Sequence, residues 1–250
     1  MNEQTFLRQT AVITGGAQGI GKAVGTRLAA GGARVAVWDM DHSLAVQTAK
    51  NLGDNAFAVE VDIANWESVQ NAHAVTMLKS DRVDVLINSA GIARHTSALD
   101  TTPEDYDAVT DINVKGAYFL SVGVAHGMID AGIKGSIINV SSQMGHIGGI
   151  ERGVYCATKH AVEGFTKALA IEFGPRGIRV NTLAPTFIRT PLAEQTLSIP
   201  ERKAWIESKI KLGRIGELSD IMGPAVFLAS DASALITGTS LLVDGGWTAG

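Results

Sequence analysis

The chain has 250 residues, of which 46% are hydrophobic, so a substantial core can be buried within one or two α/β domains. The formal charge of −4 and the lack of any basic cluster argue against nucleic acid and anionic membrane surfaces as partners. A single cysteine, Cys156, excludes an intrachain disulfide and a cysteine-rich metal site.

The sequence does not predict a membrane location or secretion. No apolar run reaches the roughly 18 residues that a bilayer-spanning helix needs. The first residues, 1–9, are polar and lack the charged, apolar and small-residue zones of a signal peptide. We therefore expect a cytoplasmic protein with no membrane partner.

Short apolar runs alternate with helical stretches along the chain. The predicted strands are Thr10–Thr14, Arg34–Trp38, Ala56–Glu60, Val83–Asn88, Gly135–Val140, Ile178–Leu183 and Ser240–Val243. The predicted helices are Gly19–Gly31, Ser43–Leu52, Asn65–Lys79, Pro103–Asp130 and Arg152–Phe173. The first six strands are mostly unbroken apolar runs, which suit a parallel sheet covered on both faces. This alternation predicts an α/β fold, a single doubly wound, Rossmann-type domain over residues 1–250 with a mostly parallel seven-stranded sheet.

One long irregular stretch, Thr186–Gly216, follows the sixth predicted strand. Open α/β sheets bind ligands at the carboxyl ends of their strands, which is where this stretch begins. We expect it to form a segment that covers a substrate. A surface insertion without a role is the alternative.

A glycine-rich turn joins the first predicted strand to the first predicted helix. Gly15 permits a tight turn, Gly19 lets the backbone approach a pyrophosphate, and Gly21 lets the helix pack closely on the sheet. A helix that starts near Gly19 points unpaired N–H groups at the phosphates. A glycine triplet alone is a weak signal, but its place between strand and helix predicts a dinucleotide site.

An acidic residue, Asp39, follows the second predicted strand. Its carboxylate would accept hydrogen bonds from the adenosine ribose and repel a 2′-phosphate, and no arginine or lysine stands at Gln18, Trp38 or Met40. The sequence therefore favours NAD over NADP, with a helix-capping Asp39 as the alternative. Asp62 ends the third strand, where it would meet the adenine amino group or cap the next helix.

Tyr155 and Lys159 lie four residues apart in a predicted helix, so their side chains share one face. A tyrosine that acts as a base near neutral pH needs a pKa well below its ordinary value of about 10. An ammonium one turn away, together with a positive nicotinamide ring, would favour the tyrosinate. Ser142 ends the fifth strand and would reach a substrate oxygen from the same side. The spacing alone is equally typical of an ordinary helix surface.

Several motifs occur in the order found in the short-chain dehydrogenase/reductase family. Residues 14–21 (TGGAQGIG) resemble its TGxxxGIG turn, and residues 88–91 (NSAG) resemble its NNAG segment. Residues 139–142 (NVSS) and 155–159 (YCATK) resemble its catalytic serine followed by YxxxK. Residues 178–181 (IRVN) and 243–246 (VDGG) resemble later landmarks, so the likeness covers nearly the whole chain.

The resemblance implies a role for each matching residue. Tyr155 would be the acid/base, Lys159 would lower its pKa and bind the nicotinamide ribose, and Ser142 would polarise the reacting oxygen. Asn113 would kink its helix and hold a water for proton relay. Pattern and resemblance together predict the NAD-binding residues Gly15, Gln18, Gly19, Ile20, Gly21, Asp39, Asp62, Ile63, Asn88, Ala90, Gly91, Tyr155, Lys159, Pro185, Ile188 and Thr190. The family usually has glycine after Pro185, where this chain has Thr186.

The leading hypothesis is an NAD-dependent oxidoreductase that moves a hydride to or from a secondary alcohol or ketone of a small polar substrate, favouring a polyol or sugar. Met144 and His146 follow Ser142 and are candidate substrate contacts. The alternatives are a 3-oxoacyl thioester reductase, against which Asp39 argues, and an NAD-binding regulator without turnover. The histidines have no metal-ligand spacing, so we expect no metal.

Two predicted helices, Pro103–Asp130 and Arg152–Phe173, carry apolar residues over more than one face. A helix outside a three-layer fold needs only one apolar stripe, so the surplus predicts a partner surface. Family resemblance implies that these helices pair into a four-helix interface and that a contact near the apolar tail 240–247 builds a tetramer. We expect a homo-oligomer, with the tetramer favoured.

Overall fold

Seven parallel strands form the centre of the molecule in the computed structural model, which describes residues 5–250. The strands are β1 Thr10–Thr14, β2 Arg34–Asp39, β3 Ala56–Glu60, β4 Val85–Asn88, β5 Ser136–Val140, β6 Arg179–Pro185 and β7 Ser240–Val243. Their order across the sheet is β3-β2-β1-β4-β5-β6-β7, and every neighbouring pair is parallel. The predicted Rossmann-type fold is confirmed.

Helices cover both faces of this sheet. They are α1 Gly19–Ala30, α2 His42–Leu52, α3 Trp66–Ser80, α4 Pro103–Thr110, α5 Ala117–Asp130, α6 Gly153–Phe173, α7 Pro191–Leu197, α8 Pro200–Lys209 and α9 Leu218–Ala229. Helices α1, α2 and α9 pack on one face, and α3, α5 and α6 pack on the other. Within residues 5–250, no helix combines the length and the apolar character needed to cross a bilayer.

The central strands are buried on both sides, which explains their unbroken apolar sequences. Ile13 of β1 belongs to the core under α1, whereas its neighbour Val12 belongs to the core under α5. Both side chains have at most 1% of their surface exposed. Burying a side chain of this size contributes about 1.5–3 kcal/mol, so each central strand stabilises two cores at once.

The helix predicted over Pro103–Asp130 is not continuous. Helices α4 and α5 are joined by a π-helical turn, Asp111–Gly116. Gly116 lies against the backbone of Ile63, where a Cβ would come within 2.7 Å of the Ile63 carbonyl oxygen. The wider turn brings Asn113 inward, and this side chain is only 2% exposed. A π-helical turn interrupts the regular helix without breaking the chain direction.

Residues 186–216 contain more regular structure than the sequence indicated. Helices α7 and α8 each begin with a proline at the first turn, Pro191 and Pro200, where the missing N–H costs nothing. Helix α9 was not predicted from the sequence; Pro224 lies inside it, and proline disfavours a helix interior. Reciprocal hydrogen bonding between Glu217 and Asp220 caps its start.

A buried polar network holds the sheet together where its strand order reverses, between β1 and β4. The hydroxyl of Thr14 donates to Asn88 Oδ1 at 3.1 Å, and Asn88 Nδ2 donates to Asn139 Oδ1 at 3.2 Å. Thr14 Oγ1 also accepts from the backbone N–H groups of Ser89 and Ala90. These bonds fix the carboxyl ends of three adjacent strands, the point at which doubly wound sheets bind ligands.

Candidate active site

A single long cleft runs along the carboxyl ends of the strands and across the point where the strand order reverses. It is lined by most of the predicted site residues, namely Gly15, Gln18, Gly19, Ile20, Asp39, Asp62, Ile63, Ala90, Gly91, Ser142, Met144, Tyr155, Lys159, Pro185, Ile188 and Thr190. The predicted residues Gly21, Asn88, Asn113 and His146 do not line it.

The glycine-rich turn forms one wall of the cleft. Gly15 and Gly19 have φ of +59° and +55°, which L side chains rarely adopt. A Cβ on Gly15 would also come within 3.0 Å of Ala90 Cα. A Cβ on Gly21 would overlap the carbonyl oxygen of Gly15, so Gly21 is required by the turn itself and not by helix–sheet packing. Helix α1 begins at Gly19, and its first amides have no intrahelical partner.

Two carboxylates mark one end of the cleft. Asp39 Oδ2 accepts from the backbone N–H of Ala17 at 3.0 Å, and its Oδ1 accepts from the N–H of Asp41 at 3.1 Å. Each oxygen keeps a second lone pair, and the side chain is only partly buried, so ribose hydroxyls can still reach it. Asp62 Oδ1 accepts from the N–H of Ala64, while Asn65 supplies the cap of α3.

Tyr155, Lys159 and Ser142 all line the cleft, away from the end that Asp39 marks. Tyr155 and Lys159 lie one turn apart on α6, and Lys159 Nζ is 5.6 Å from the centre of the Tyr155 ring. Lys159 Nζ donates to the carbonyl oxygen of Val140 at 2.8 Å, which ties α6 to the end of β5. Ser142 Oγ accepts from the N–H of Met144 at 3.1 Å, and its hydroxyl also interacts with the phenol of Tyr155.

Burial dominates the electrostatics of this group in the protein alone. Burial raises the pKa of Tyr155, and the Ser142 hydroxyl and the charge of Arg152 act in the opposite direction. Burial lowers the pKa of Lys159 to about 8. Lys159 therefore loses its own proton below the pH at which a tyrosine ordinarily titrates. We conclude that the protein groups alone do not depress the pKa of Tyr155.

Asn113 acts beside the cleft and not in its wall. Its Oδ1 accepts from the N–H of Ile92, and its Nδ2 donates to the carbonyl oxygen of Ile92, both at 2.9 Å. Nδ2 also reaches the hydroxyl of Thr158 at 3.2 Å. This side chain therefore joins the π-helical turn to the segment after β4 and to α6, which carries Tyr155.

The cleft fits a dinucleotide such as NAD(H). Its wall is bare backbone at Gly15 and Gly19, where a phosphate can approach closely, and the start of α1 favours negative charge. A carboxylate, Asp39, stands at one end, and the Tyr155–Lys159 pair stands nearer the other. Gln18, Gly19 and Thr190 would hold the phosphates, Asp39 the adenosine ribose, and Lys159 the second ribose.

Comparisons with known proteins agree with this geometry. Residues 15–248 match a family model described as enoyl-(acyl carrier protein) reductase. The D-threitol dehydrogenase of Mycolicibacterium smegmatis is 38% identical over 243 residues, which are 96% of this chain and 93% of that protein. An L-rhamnose 1-dehydrogenase (NAD(P)(+)) of Azotobacter vinelandii is 38% identical over 248 residues, which are 96% of this chain and 97% of that protein. The chain belongs to the short-chain dehydrogenase/reductase family.

A solved structure supports the same assignment. The gluconate 5-dehydrogenase of Burkholderia cenocepacia, crystallised with NADP and tartrate, has a TM-score of 0.95 at 31% identity. The match covers 99% of this chain and 98% of that one. As a short-chain dehydrogenase/reductase, the chain is an NAD(P)-dependent oxidoreductase that interconverts a secondary alcohol and a carbonyl group.

The structure of this short-chain dehydrogenase does not bring His146 into the cleft. His146 Nε2 lies 2.9 Å from Ser240 Oγ and 3.4 Å from Glu163 Oε1. The hydroxyl of Ser240 in turn contacts Glu163. The short 3₁₀ turn Gln143–Gly145 carries the chain around, so Met144 lines the cleft and His146 packs toward β7.

On the substrate side of this dehydrogenase, sequence reasoning placed Gln143 in the segment after Ser142 that walls the pocket, but it missed His95 and Arg152. Gln143 is 1% exposed, and neither atom of its side-chain amide has a hydrogen-bond partner. The buried hydroxyl of Thr186, the position where the family usually has glycine, is also unpaired. The same side of the cleft is also lined by His95, Arg152, Phe187 and Thr196. No motif marks them, although Arg152 stands one helical turn before Tyr155.

Residues 5–250 contain no group of three or more His, Cys, Asp or Glu side chains placed to hold a metal ion.

Proposed function

We propose that this protein is an NAD-dependent dehydrogenase that oxidises the secondary alcohol of a small polyol or sugar and also catalyses the reverse reduction. The observation that carries the proposal is the meeting of Ser142, Tyr155 and Lys159 in a cleft whose other end presents Asp39. The relatives named above act on D-threitol, L-rhamnose and gluconate, all small polyhydroxy compounds.

Tyr155 is the proposed acid/base. During oxidation its phenolate oxygen takes the proton of the substrate hydroxyl, and during reduction the phenol returns that proton to the carbonyl oxygen. Ser142 donates its hydroxyl proton to the same substrate oxygen, which stabilises the charge that develops there. A bound nicotinamide would accept or supply the hydride, and its oxidised ring would add the positive charge that Tyr155 needs to ionise near neutral pH.

Lys159 and Asn113 hold this arrangement in place. The bond from Lys159 Nζ to the Val140 carbonyl fixes the ammonium near Tyr155, and the charged form, present below a pKa of about 8, would bind a ribose hydroxyl. Asn113 fixes the position of Ile92 relative to α6. The water that the family resemblance assigns to Asn113 stays a prediction.

We favour NAD over NADP because of the charge at the adenosine end. Asp39 is held by two backbone N–H groups, so its carboxylate stays where a 2′-phosphate would lie. The two cationic side chains among the lining residues, Arg152 and Lys159, both belong to the other end of the cleft. A 2′-phosphate would therefore meet a fixed negative charge with no compensating cation beside it.

Residues 186–216 are the proposed substrate-covering segment of the single domain. Phe187 and Thr196, with the start of α7, line the cleft opposite Tyr155. Phe187 stacks on Trp247 with ring centres 5.9 Å apart, and Trp205 meets Trp247 edge-on at 5.5 Å. This aromatic packing anchors the segment to the end of the chain. Cytoplasmic location stays a prediction from the sequence.

The reaction is tested by following absorbance at 340 nm with NAD⁺ and a panel of polyols, sugars and hydroxy acids. We expect turnover of at least one polyhydroxy compound and none with 3-hydroxyacyl thioesters, because Asp39 argues against the NADPH that such reductases usually use and, of the described residues that line the cleft, only Arg152 and Lys159 are basic side chains of the Arg or Lys type. Efficient turnover of a thioester, with no polyol or sugar oxidised, would replace the proposal by the thioester reductase alternative.

We also propose that the protein is a homo-oligomer, with a tetramer favoured. The apolar surface between α5 and α6 includes Tyr118 and Phe119, which are 37% and 48% exposed, and a groove beside them is lined by Phe165. Near the chain end, Leu242 is 39% exposed, whereas Trp247 is buried within the protomer. Sedimentation at micromolar concentration should show a mass of about four times 26.2 kDa, and a single monomer species would refute the oligomer.

A further inference from the structure

Arg152 places a positive charge on the substrate side of the cleft. It occupies the N-cap position of α6, three residues before Tyr155, and its partly buried side chain lines the same cleft as Tyr155 and Ser142. The positive charge of its guanidinium acts to lower the pKa of Tyr155, although burial raises that pKa overall. The proposed reaction assigns no task to Arg152.

The guanidinium has neutral partners. Its Nη1 donates to the ring of His95 at 2.9 Å, and its Nη2 donates to the hydroxyl of Thr196 at 3.2 Å. Its carbon lies 5.2 Å from the centre of the Phe187 ring. Across residues 5–250, Arg152 makes no ion pair with a carboxylate. Of the five N–H donors of an arginine, three are left for another acceptor.

The surroundings do not neutralise this charge. Burial, followed by the charge of Arg152, lowers the pKa of His95 to about 4, so the imidazole is uncharged at neutral pH. Glu151 is adjacent in the chain, but its carboxylate pairs with Arg202 at 2.9 Å. A partly buried cation without a counter-ion is costly, and this cost is offset when an anion binds.

Two unpaired polar side chains in the same cleft indicate what groups the rest of the ligand carries. The side-chain amide of Gln143 and the hydroxyl of Thr186 are buried, line the same cleft and have no partners. Unpaired neutral donors and acceptors of this kind suit hydroxyl groups, which both donate and accept. One end of the substrate should therefore be anionic and the remainder rich in hydroxyl groups.

We propose that Arg152 binds the carboxylate of the substrate, and that the substrate class is a polyhydroxy acid such as an aldonate. This inference rests on the proposed function and narrows it from polyols and sugars to sugar acids. Arg152 is a specificity residue, since it holds the acid group while Tyr155 and Ser142 act on a hydroxyl of the same molecule. A guanidinium can hold a carboxylate through two parallel hydrogen bonds, which fixes the orientation of the acid group.

The test measures binding and turnover separately. Titration calorimetry of the NADH complex with D-gluconate and with D-glucitol, its neutral counterpart, should show tighter binding of the acid by about tenfold or more. Arg152→Gln should weaken gluconate binding by about tenfold more than it weakens glucitol binding. Arg152→Lys should recover part of the difference because it keeps the charge without the planar fork.

The matched control is Arg214→Gln. Arg214 is an exposed arginine that pairs with Asp220 and does not line the cleft, so its removal should leave gluconate affinity within about twofold of the wild type. Thermal unfolding of each variant verifies that it is folded. Equal weakening of gluconate and glucitol by Arg152→Gln would overturn the proposal, because Arg152 would then only hold α6 against α7. Tighter binding of D-glucitol 6-phosphate than of gluconate would overturn the carboxylate assignment.

Failure of this inference and failure of the proposed function give different results. If neutral polyols are oxidised and gluconate shows no preference, the proposed function stands and the carboxylate site is wrong. If gluconate binds through Arg152 but no panel compound is oxidised, the carboxylate site stands and the proposed reaction is wrong.

Discussion

Replacing Tyr155 with phenylalanine should abolish turnover while NADH still binds. The substitution removes one oxygen atom and leaves the ring on α6, so the shape of the cleft is retained. Loss of a positioned acid/base costs about 10²–10⁴-fold in rate. We expect kcat to fall by at least the lower figure, while the Kd for NADH, measured by fluorescence titration, changes by less than about threefold.

The matched control is Tyr106→Phe. Tyr106 lies on α4 and is 51% exposed, and it undergoes the same chemical change without lining the cleft. Its variant should retain wild-type turnover. Near-normal activity of Tyr155→Phe, with purity and folding verified, would remove Tyr155 from the mechanism.

The pH profile provides a second readout of the same residue. Alcohol oxidation needs the phenolate, and burial raises the pKa of Tyr155, so the rate of oxidation should climb with pH on the alkaline side of neutrality. Reduction needs the phenol, so its rate should fall over the same pH range. The residual oxidation rate of Tyr155→Phe should not rise with pH. A flat wild-type profile between about pH 6 and 9, with chemistry rate-limiting, contradicts a tyrosinate base.

Cofactor choice should depend on Asp39. Two unit charges 4 Å apart at an effective dielectric near 20 repel by about 4 kcal/mol, and solvent screening reduces this figure. We therefore expect the wild type to prefer NAD over NADP by about 10²-fold in kcat/KM and in binding affinity. Asp39→Ala should reduce the preference by about tenfold or more, chiefly by improving NADP binding.

Asp41→Asn is the control for this experiment. Asp41 is an exposed carboxylate two residues away that caps α2 by accepting from the N–H of Leu44 at 3.0 Å. Asparagine keeps that acceptor and removes the charge, so the NAD preference should persist. Asp39→Asn separates the charge from the backbone bonds, because the amide oxygen can still accept one of them. A wild type that prefers NADP would refute the role of Asp39.

The sequence predicted well those features that local chemistry determines. The five interior strands were recognisable because burial on both faces requires unbroken apolar runs, as in β1. Gly15 and Gly19 were recognisable because their backbone needs positive φ, which glycine alone adopts freely. The Tyr155–Lys159 spacing became informative only through its place after β5 in the family order of motifs.

Other features depend on contacts between distant residues, which no local pattern reveals. The π-helical turn forms where Gly116 meets the backbone of Ile63 and Asn113 reaches Ile92. The side chain of His146 lies outside the cleft because its hydrogen-bond partner, Ser240, comes 94 residues later in the chain. Burial raises the pKa of Tyr155 in the protein alone, an effect that depends on the whole fold and that no local pattern reveals. The lowering that the sequence predicts includes the charge of a bound nicotinamide ring and stays a prediction.

The position of β1 in the sheet has a consequence for how the chain folds during synthesis. β1 pairs with β2 on one edge and with β4, 74 residues further along the chain, on the other. Until residues 85–88 have been synthesised, the second edge of a fully apolar strand has no partner. Such an edge pairs readily with other chains, so an interrupted chain is prone to aggregate. The central part of the cleft, at the ends of β1 and β4, is therefore assembled only after this long-range pairing, which is the kind of step that slows folding.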